Sequence, residues 1–229
     1  MVLPWLPLAL ALLLSAAHLF AERFSRAEKY HQGFLSLASG MLVALLLLEI
    51  MPLLFASPYA TDIPFAMLAG FSLYHFLERH VYRHHRKAQM SAELAKLHLA
   101  GFFLDGIVIG SILLLIASVS AIPVIFIIFV PLLLGASSSS VAIKHIHDSF
   151  RIDAMSRLML SGSYVAGAFL ASSVNLQGEP FYLVMSFLAG ILLYFVVRDE
   201  LPKSRNGNSW VFLFGVLSIA SLMLLGRGF

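Results

Sequence analysis

Apolar residues fall in eight long runs separated by short polar gaps, at about 3–21, 33–56, 63–78, 97–117, 121–143, 158–176, 181–197 and 209–226. A helix needs roughly 20 mostly apolar residues to cross a hydrocarbon core about 30 Å thick, and most runs are close to that length. Inside lipid the backbone must satisfy its own hydrogen bonds within each segment, so the runs predict helices. The strict alternation of apolar and polar positions that marks a membrane β-barrel is absent.

The gaps differ in charge. Arg23, Arg26 and Lys29 follow the first run, and Arg79, Arg83, Arg86, Lys87 and Lys96 follow the third. Lys144, Arg151 and Arg157 follow the fifth, and Arg198, Lys203 and Arg205 the seventh. The gaps after the second, fourth and sixth runs hold no Lys or Arg, and Arg227 alone lies beyond the eighth. Loops rich in Lys and Arg stay in the cytoplasm. The expectation is an all-α, polytopic membrane helix bundle with eight transmembrane helices, forming a single domain over 1–229. Both termini would lie on the non-cytoplasmic side of the cell (inner) membrane.

Composition supports this and narrows it. The chain is 60% hydrophobic and 12% charged, with a mean hydropathy of +0.90. Its positive balance is spread along one face of the expected membrane, which topology explains without a nucleic-acid partner. The absence of cysteine excludes disulfides, thiolate metal sites and thiol catalysis. The first run contains Ser15-Ala16-Ala17, which looks like a signal-cleavage site. No basic residue precedes it, so a retained first helix is expected.

Punctuation agrees with the spans. Pro58, Asp62 and Pro64 mark one outer turn, Ser118, Ser120 and Pro123 a second, and Asn175, Gly178 and Pro180 a third. The longest connection is expected from Glu78 to Lys96, with Ser91 and Glu93 suiting the start of the next helix. The sixth run is rich in small residues, including Gly162, Ser163, Gly167 and Ala168, which suits close helix packing. No short-period repeat is evident.

Several stretches resemble the ZIP family of divalent-metal transporters. Ser39-Gly40-Met41 through Glu49-Ile50-Met51-Pro52 is similar to that family's glycine-rich second helix ending in His-x-x-Pro, with Glu49 in place of the His. Leu77-Glu78-Arg79-His80 with Arg83-His84-His85-Arg86 is similar to its Glu-His end and His-rich loop. Asp105-Gly106-Ile107-Val108-Ile109-Gly110 resembles Asp-Gly-x-x-Ile-Gly in the fourth helix. Ala189-Gly190-Ile191-Leu192-Leu193-Tyr194 followed by Asp199-Glu200-Leu201-Pro202 resembles the seventh. The matches span nearly the whole chain in the family's order. The resemblance implies eight spans, outer termini and alternating access, with the first and the fourth to sixth helices moving against the rest.

The metal-ligand pattern departs from the family. Its fourth helix reads His-Asn-x-x-Asp-Gly, where this chain has Gly101, Phe102 and Asp105. Aligned on Pro131 and Gly135, the family's four fifth-helix ligand positions fall on Ile128, Phe129, Leu132 and Leu133. A rival alignment uses Lys144-His145-Ile146-His147-Asp148, which restores imidazoles without the proline or the spacing. Zinc and iron(II) want several nitrogen or oxygen donors on converging helices, which an apolar fifth helix does not supply.

The remaining intramembrane polar groups are therefore the candidates. Asp105, near the middle of the fourth run, is read as a cation or proton ligand, or else as a structural carboxyl facing hydroxyls such as those of Ser137–Ser140. Glu49 is read as a pathway residue or a group reaching the outer interface. A Glu49–Asp105 pair could hold a hard cation such as Mg²⁺ or Mn²⁺ with waters. His98 lies two turns before Asp105 on roughly the same face. It could join His18 and His75 in an inner exit, or each could be an interfacial hydrogen-bonding group. His80, His84 and His85 form a basic flank with the neighbouring Arg and Lys residues. No motif of an intramembrane hydrolase or metalloprotease is present, so an enzyme is not expected.

The expected function is divergent ZIP-like transport of divalent metal cations of the zinc, iron or manganese class, with Asp105, Glu49 and His98 as metal-site candidates. No resident cofactor is expected; Zn²⁺ or another divalent cation enters as substrate. The expected partners are the lipid bilayer, that ion and, as an open alternative, a second copy in a homodimer. The competing expectation is a ZIP-fold membrane protein without metal transport, serving as a binding or regulatory partner or carrying another solute.

Overall fold

The computed structural model describes residues 5–24, 28–84, 87–119, 122–146, 154–173, 178–200 and 207–226. Among them there is no strand, and eight helices follow one another through short links. They are α1 (Leu6–Phe24), α2 (Glu28–Leu45, continuing through a π-helical turn Leu46–Ile50 into Met51–Phe55), α3 (Ile63–His84) and α4 (Lys87–Val119). The second half holds α5 (Ile122–Ile146), α6 (Ala154–Ser173), α7 (Glu179–Phe195, continuing through a π-helical turn Val196–Glu200) and α8 (Ser209–Gly226). The architecture is an all-α bundle.

Helix starts follow the sequence signals. Pro64, Pro123 and Pro180 each stand at the second residue of their helix, where the missing N–H is one the helix leaves unbonded anyway. Gly178, with φ 76°, turns the chain into α7. The backbone between α2 and α3 coils through successive turns, with Ser57 N–H donating to Leu54 O at 3.0 Å and Asp62 N–H to Tyr59 O at 2.9 Å. The long connection expected from Glu78 to Lys96 is instead mostly helical. α3 runs on to His84 and α4 begins at Lys87, giving α4 33 residues. Ala88, Ala92, Leu94 and Ala95 are good helix formers and Glu and Lys are close behind, so charge there does not end a helix.

Both π turns have a common setting. Met51 N–H donates to Leu46 O, the i to i−5 bond of a π turn. Pro52 follows, and a proline there removes the donor that would close the next regular turn. The second π turn likewise lies just before a proline in sequence, Pro202.

Three helix pairs are closed by glycine in one repeated way. A Cβ on Gly40 would collide with the carbonyl of Phe212, and one on Gly215 with that of Leu37. The same reciprocity joins Gly70 to Phe187 O and Gly190 to Met67 O, and then Gly110 to Tyr164 O and Gly167 to Ile107 O. In each pair a glycine rests on the carbonyl three residues before its partner glycine. The pairs are α2/α8, α3/α7 and α4/α6, and they are the most extensive packings in the molecule. Ser111 adds a bond across α4/α6, donating to Gly167 O at 3.0 Å. Small residues let backbones approach this closely, which is how helices gain packing where apolar burial gives little preference.

Packing then sorts the helices into two groups. α1 lies on α5 and α6, with a lesser contact to α4, so α1, α4, α5 and α6 form one group. The pairs α2/α8 and α3/α7 form the other, joined where the π turn of α7 meets α2. The groups meet along a seam where α2 and α8 touch α5, and where α3 and α7 touch α4.

The second group is built twice. An offset of 150 residues carries Gly40, Glu49, Pro52 and the π turn Leu46–Ile50 onto Gly190, Asp199, Pro202 and the π turn Val196–Glu200. An offset of 145 carries Gly70 of α3 onto Gly215 of α8. The hairpins α2–α3 and α7–α8 are thus two copies of one plan, each helix pairing with a helix of the other copy.

Among the described residues, Gln32–Phe55 and Glu179–Arg198 are long and apolar enough to cross a bilayer. Leu6–Phe20, Leu99–Leu115, Ile122–Ser137 and Ser209–Leu225 are shorter apolar helices. By length and composition such helices also suit the centre of a soluble bundle.

Candidate functional site

The seam between the two helix groups is filled in one place and open in another. The filled place surrounds Gly101 on α4. A Cβ there would collide with the Phe195 ring of α7 and the Tyr74 hydroxyl of α3. Phe102 stacks on Phe195 with ring centroids 5.8 Å apart and planes at 21°, and Phe195 lies 4.6 Å from the Tyr74 ring. Gly101 and Phe102 occupy the positions where the family resemblance would require a His and an Asn. Here Gly101 leaves room for the Phe195 ring and Phe102 stacks on it, so aromatic rings seal the two groups together at this point.

Asp105 stands one helical turn beyond Gly101, on the same side of α4. It is 7% exposed, so its carboxyl faces protein and not the surroundings of the bundle. Its Oδ1 has no hydrogen-bond partner among the described residues. The hydroxyl of Ser137, one of the partners considered for it, donates instead to Leu133 O of its own helix at 2.8 Å. The side chains of Ser138, Ser139 and Ser140 lie outside the described residues. A buried carboxyl oxygen without a donor costs several kcal/mol of order unless something binds it, and such groups are functional candidates by default.

The open place lies where α2, α5 and α8 meet. Glu49, Pro52 and Leu53 of α2, Val124, Ile127 and Ile128 of α5, and Met223 of α8 surround a cavity of about 270 Å³. Glu49 belongs to the π turn of α2 and is half-buried; among the described residues it is the one charged side chain on the lining. The cavity does not include Asp105, and no hydrogen bond described links the two carboxyls. His98 is on α4, and its side chain lies outside the described residues.

The two histidines expected to share an inner exit with His98 belong to separate clusters. His18 is buried in the first group, with Nδ1 3.0 Å from Ala136 O and 3.4 Å from the Tyr164 hydroxyl. His75 is in the second group, with Nδ1 3.2 Å from the Tyr194 hydroxyl. Each is satisfied within its own group.

One charged cluster was not legible in the sequence. Glu78, 3% exposed, forms an ion pair with Arg198 and accepts a 2.5 Å hydrogen bond from the Tyr194 hydroxyl. The two charges are far apart in the chain and look like ordinary flanks of two spans. The α3/α7 glycine pairing brings them together. A buried carboxylate with both a cation and a hydroxyl on it is held as a structural pair.

His80 is exposed at the end of α3; the side chain of His84 and all of His85 lie outside the described residues, as do the side chains of Lys144 to Asp148. The fifth-helix positions Ile128, Phe129 and Leu132 are buried and apolar. Among the described residues no three His, Asp or Glu side chains gather as a metal-binding group. No protein family matches the chain, and no curated protein is significantly similar to it.

Proposed function

We propose that this chain is an eight-span membrane transporter of ZIP-like architecture, carrying a cation by rocking α1, α4, α5 and α6 against α2, α3, α7 and α8. The observation that carries the reading is the uneven seam. It is packed shut around Gly101, it is open at Glu49, and a buried carboxyl stands one turn beyond the closed end. A path accessible from one side at a time has this form.

Four further observations support it. The outer surface carries large apolar side chains, with Trp210 81%, Leu224 72% and Phe65 71% exposed, which water disfavours and acyl chains accept. If the alternating Lys and Arg set the topology, the Gly101 seal lies toward the cytoplasm and the Glu49 cavity toward the far side. The two copies of the α2–α3 plan would then lie in opposite orientations, the inverted repeat typical of alternating-access carriers. Finally, the division of helices is the one that the family resemblance implies.

For the substrate, the resemblance points to a divalent metal ion bound by Asp105, with Glu49 and His98 along its path. Uptake of zinc, manganese and iron(II) into vesicles holding the purified protein tests it. Wild type should exceed empty vesicles, and Asp105→Ala should abolish the difference. Uptake equal to empty vesicles for all three ions would remove the metal reading.

A second reading keeps the fold and drops the metal. It is favoured by Phe102 and the apolar α5 wall, which give a zinc or iron(II) ion too few donors. Under it the chain carries another solute or acts as a membrane partner.

A further inference from the structure

The first helix group, α1 with α4, α5 and α6, buries polar atoms that its packing leaves unused. The inward side of α1 is apolar at Leu10, Ala11 and Leu14 and turns polar at Ser15 and His18, both buried. His18 Nδ1 lies 3.0 Å from Ala136 O of α5. A carbonyl only accepts, so Nδ1 carries the proton and the neutral ring keeps its lone pair on Nε2. Histidines that bind metals are commonly held in this way, with the other ring nitrogen donating to a carbonyl or carboxylate. Tyr164 of α6 joins this turn of α1 to α4. Its hydroxyl is 3.4 Å from His18 Nδ1, and the ring carbon bearing that hydroxyl is 3.6 Å from the position of a Cβ on Gly106, the residue after Asp105. Among the described residues, two buried side-chain oxygens of this group lack a hydrogen-bond partner, Ser15 Oγ and Asp105 Oδ1. One turn of α1 and one of α4 thus hold a hydroxyl, an imidazole lone pair and a carboxylate oxygen inside the same four helices.

We propose that α1 binds the transported cation together with Asp105, through His18 Nε2 and the Ser15 hydroxyl. An imidazole nitrogen beside oxygen donors suits zinc or iron(II) and is a poor shell for magnesium. These donors come from a helix outside the α4 and α5 pattern of the family resemblance, and they offset the ligands missing at Phe102 and along α5. Asp105 as a cation ligand rests on the metal form of the transporter reading above; α1 adds the second and third donors. Because α1 packs in the same group as α4, these donors travel with Asp105 when the groups rock and do not part from it.

Zinc titration of the purified full chain tests the proposal, followed by calorimetry and by the NMR signals of isotope-labelled histidine ring nitrogens. Wild type should bind zinc and shift the Nε2 signal that His18→Gln lacks. His18→Gln should weaken binding at least about tenfold, since even changes to groups behind a metal ligand cost that much. Ser15→Ala, which removes one hydroxyl and keeps the imidazole, should weaken it about threefold. Magnesium should bind at least about tenfold more weakly than zinc. Zinc affinity unchanged in His18→Gln, or in Ser15→Ala where His18→Gln does not fold, would overturn this inference alone and leave Asp105 to the metal reading. No zinc binding by wild type would overturn the metal reading with it. Zinc binding with the expected losses, in a chain that moves no ion into vesicles, would sink transport alone.

Discussion

The two copies of the glycine-paired plan share a backbone scheme and differ in what fills it. In the α3/α7 pair, Glu78, Tyr194 and Arg198 lock together. The positions that the repeat sets against them in α2/α8 are Met223, Ala44 and Leu48. One end is tied by an ion pair. The other is apolar, and Met223 lines the open cavity. The lesson is that glycines and π turns fix the scaffold, while a few side chains decide which end of it is closed.

The comparison is open to direct attack, beginning with the ion pair. Arg198→Leu places the residue of the apolar copy into the tied one and strands the Glu78 carboxylate. A broken buried pair typically costs about 3–5 kcal/mol, and Arg198 is partly exposed, so a loss near the lower figure is expected in detergent unfolding. The double variant Glu78→Met with Arg198→Leu reproduces the other copy and should recover most of that loss. A double variant no more stable than the single would mean that the two copies are not interchangeable.

Glycine changes come next. Gly190→Ala would press a methyl group into the Met67 backbone carbonyl, and Gly40→Ala would do the same to Phe212. Each should cost about 1–3 kcal/mol, as overpacking usually does. Comparable losses at the two sites in thermal unfolding are predicted; a loss at one alone would break their equivalence. Gly162, with nothing near its missing Cβ, is the control. Gly162→Ala should be neutral or stabilise by up to about 1 kcal/mol through helix propensity.

Access is the readout at the seal, where losing a buried ring should cost up to about 3–5 kcal/mol. Phe102→Ala removes one stacked ring from the junction of α4 and α7. Its fold should survive, and a cysteine introduced at Asp105 should become reactive to a water-soluble reagent added from the cytoplasmic side. The chain has no cysteine of its own, so labelling reports that site alone. An unreactive thiol in the Phe102→Ala background would show that the seal lies elsewhere.

Much of the scaffold was legible in the sequence because it is local. Apolar runs gave eight helices, and prolines marked three of their starts. The expected Glu78–Lys96 loop failed because charge was read as the end of a helix, although the residues there favour helix. Asp105 is buried, but its partner could not be read, since the one described hydroxyl of the expected set, that of Ser137, is bonded to its own helix. Glu78 and Arg198 pair only through the glycine contacts of α3 and α7, and no spacing rule relates residues so distant. The repeat itself was present in the letters. Gly40, Glu49 and Pro52 match Gly190, Asp199 and Pro202 at one offset, but a search for short periods passes over an offset of 150 residues.

The most direct test of two groups moving about one seam is a pair of spin-label distances in liposomes. Labels at Phe126 of α5 and Leu224 of α8, both exposed, lie in different groups; labels at Leu48 of α2 and Leu224 lie within one. The account predicts two resolved distances for the first pair and a single narrow one for the second. A single narrow distance for both pairs would contradict it.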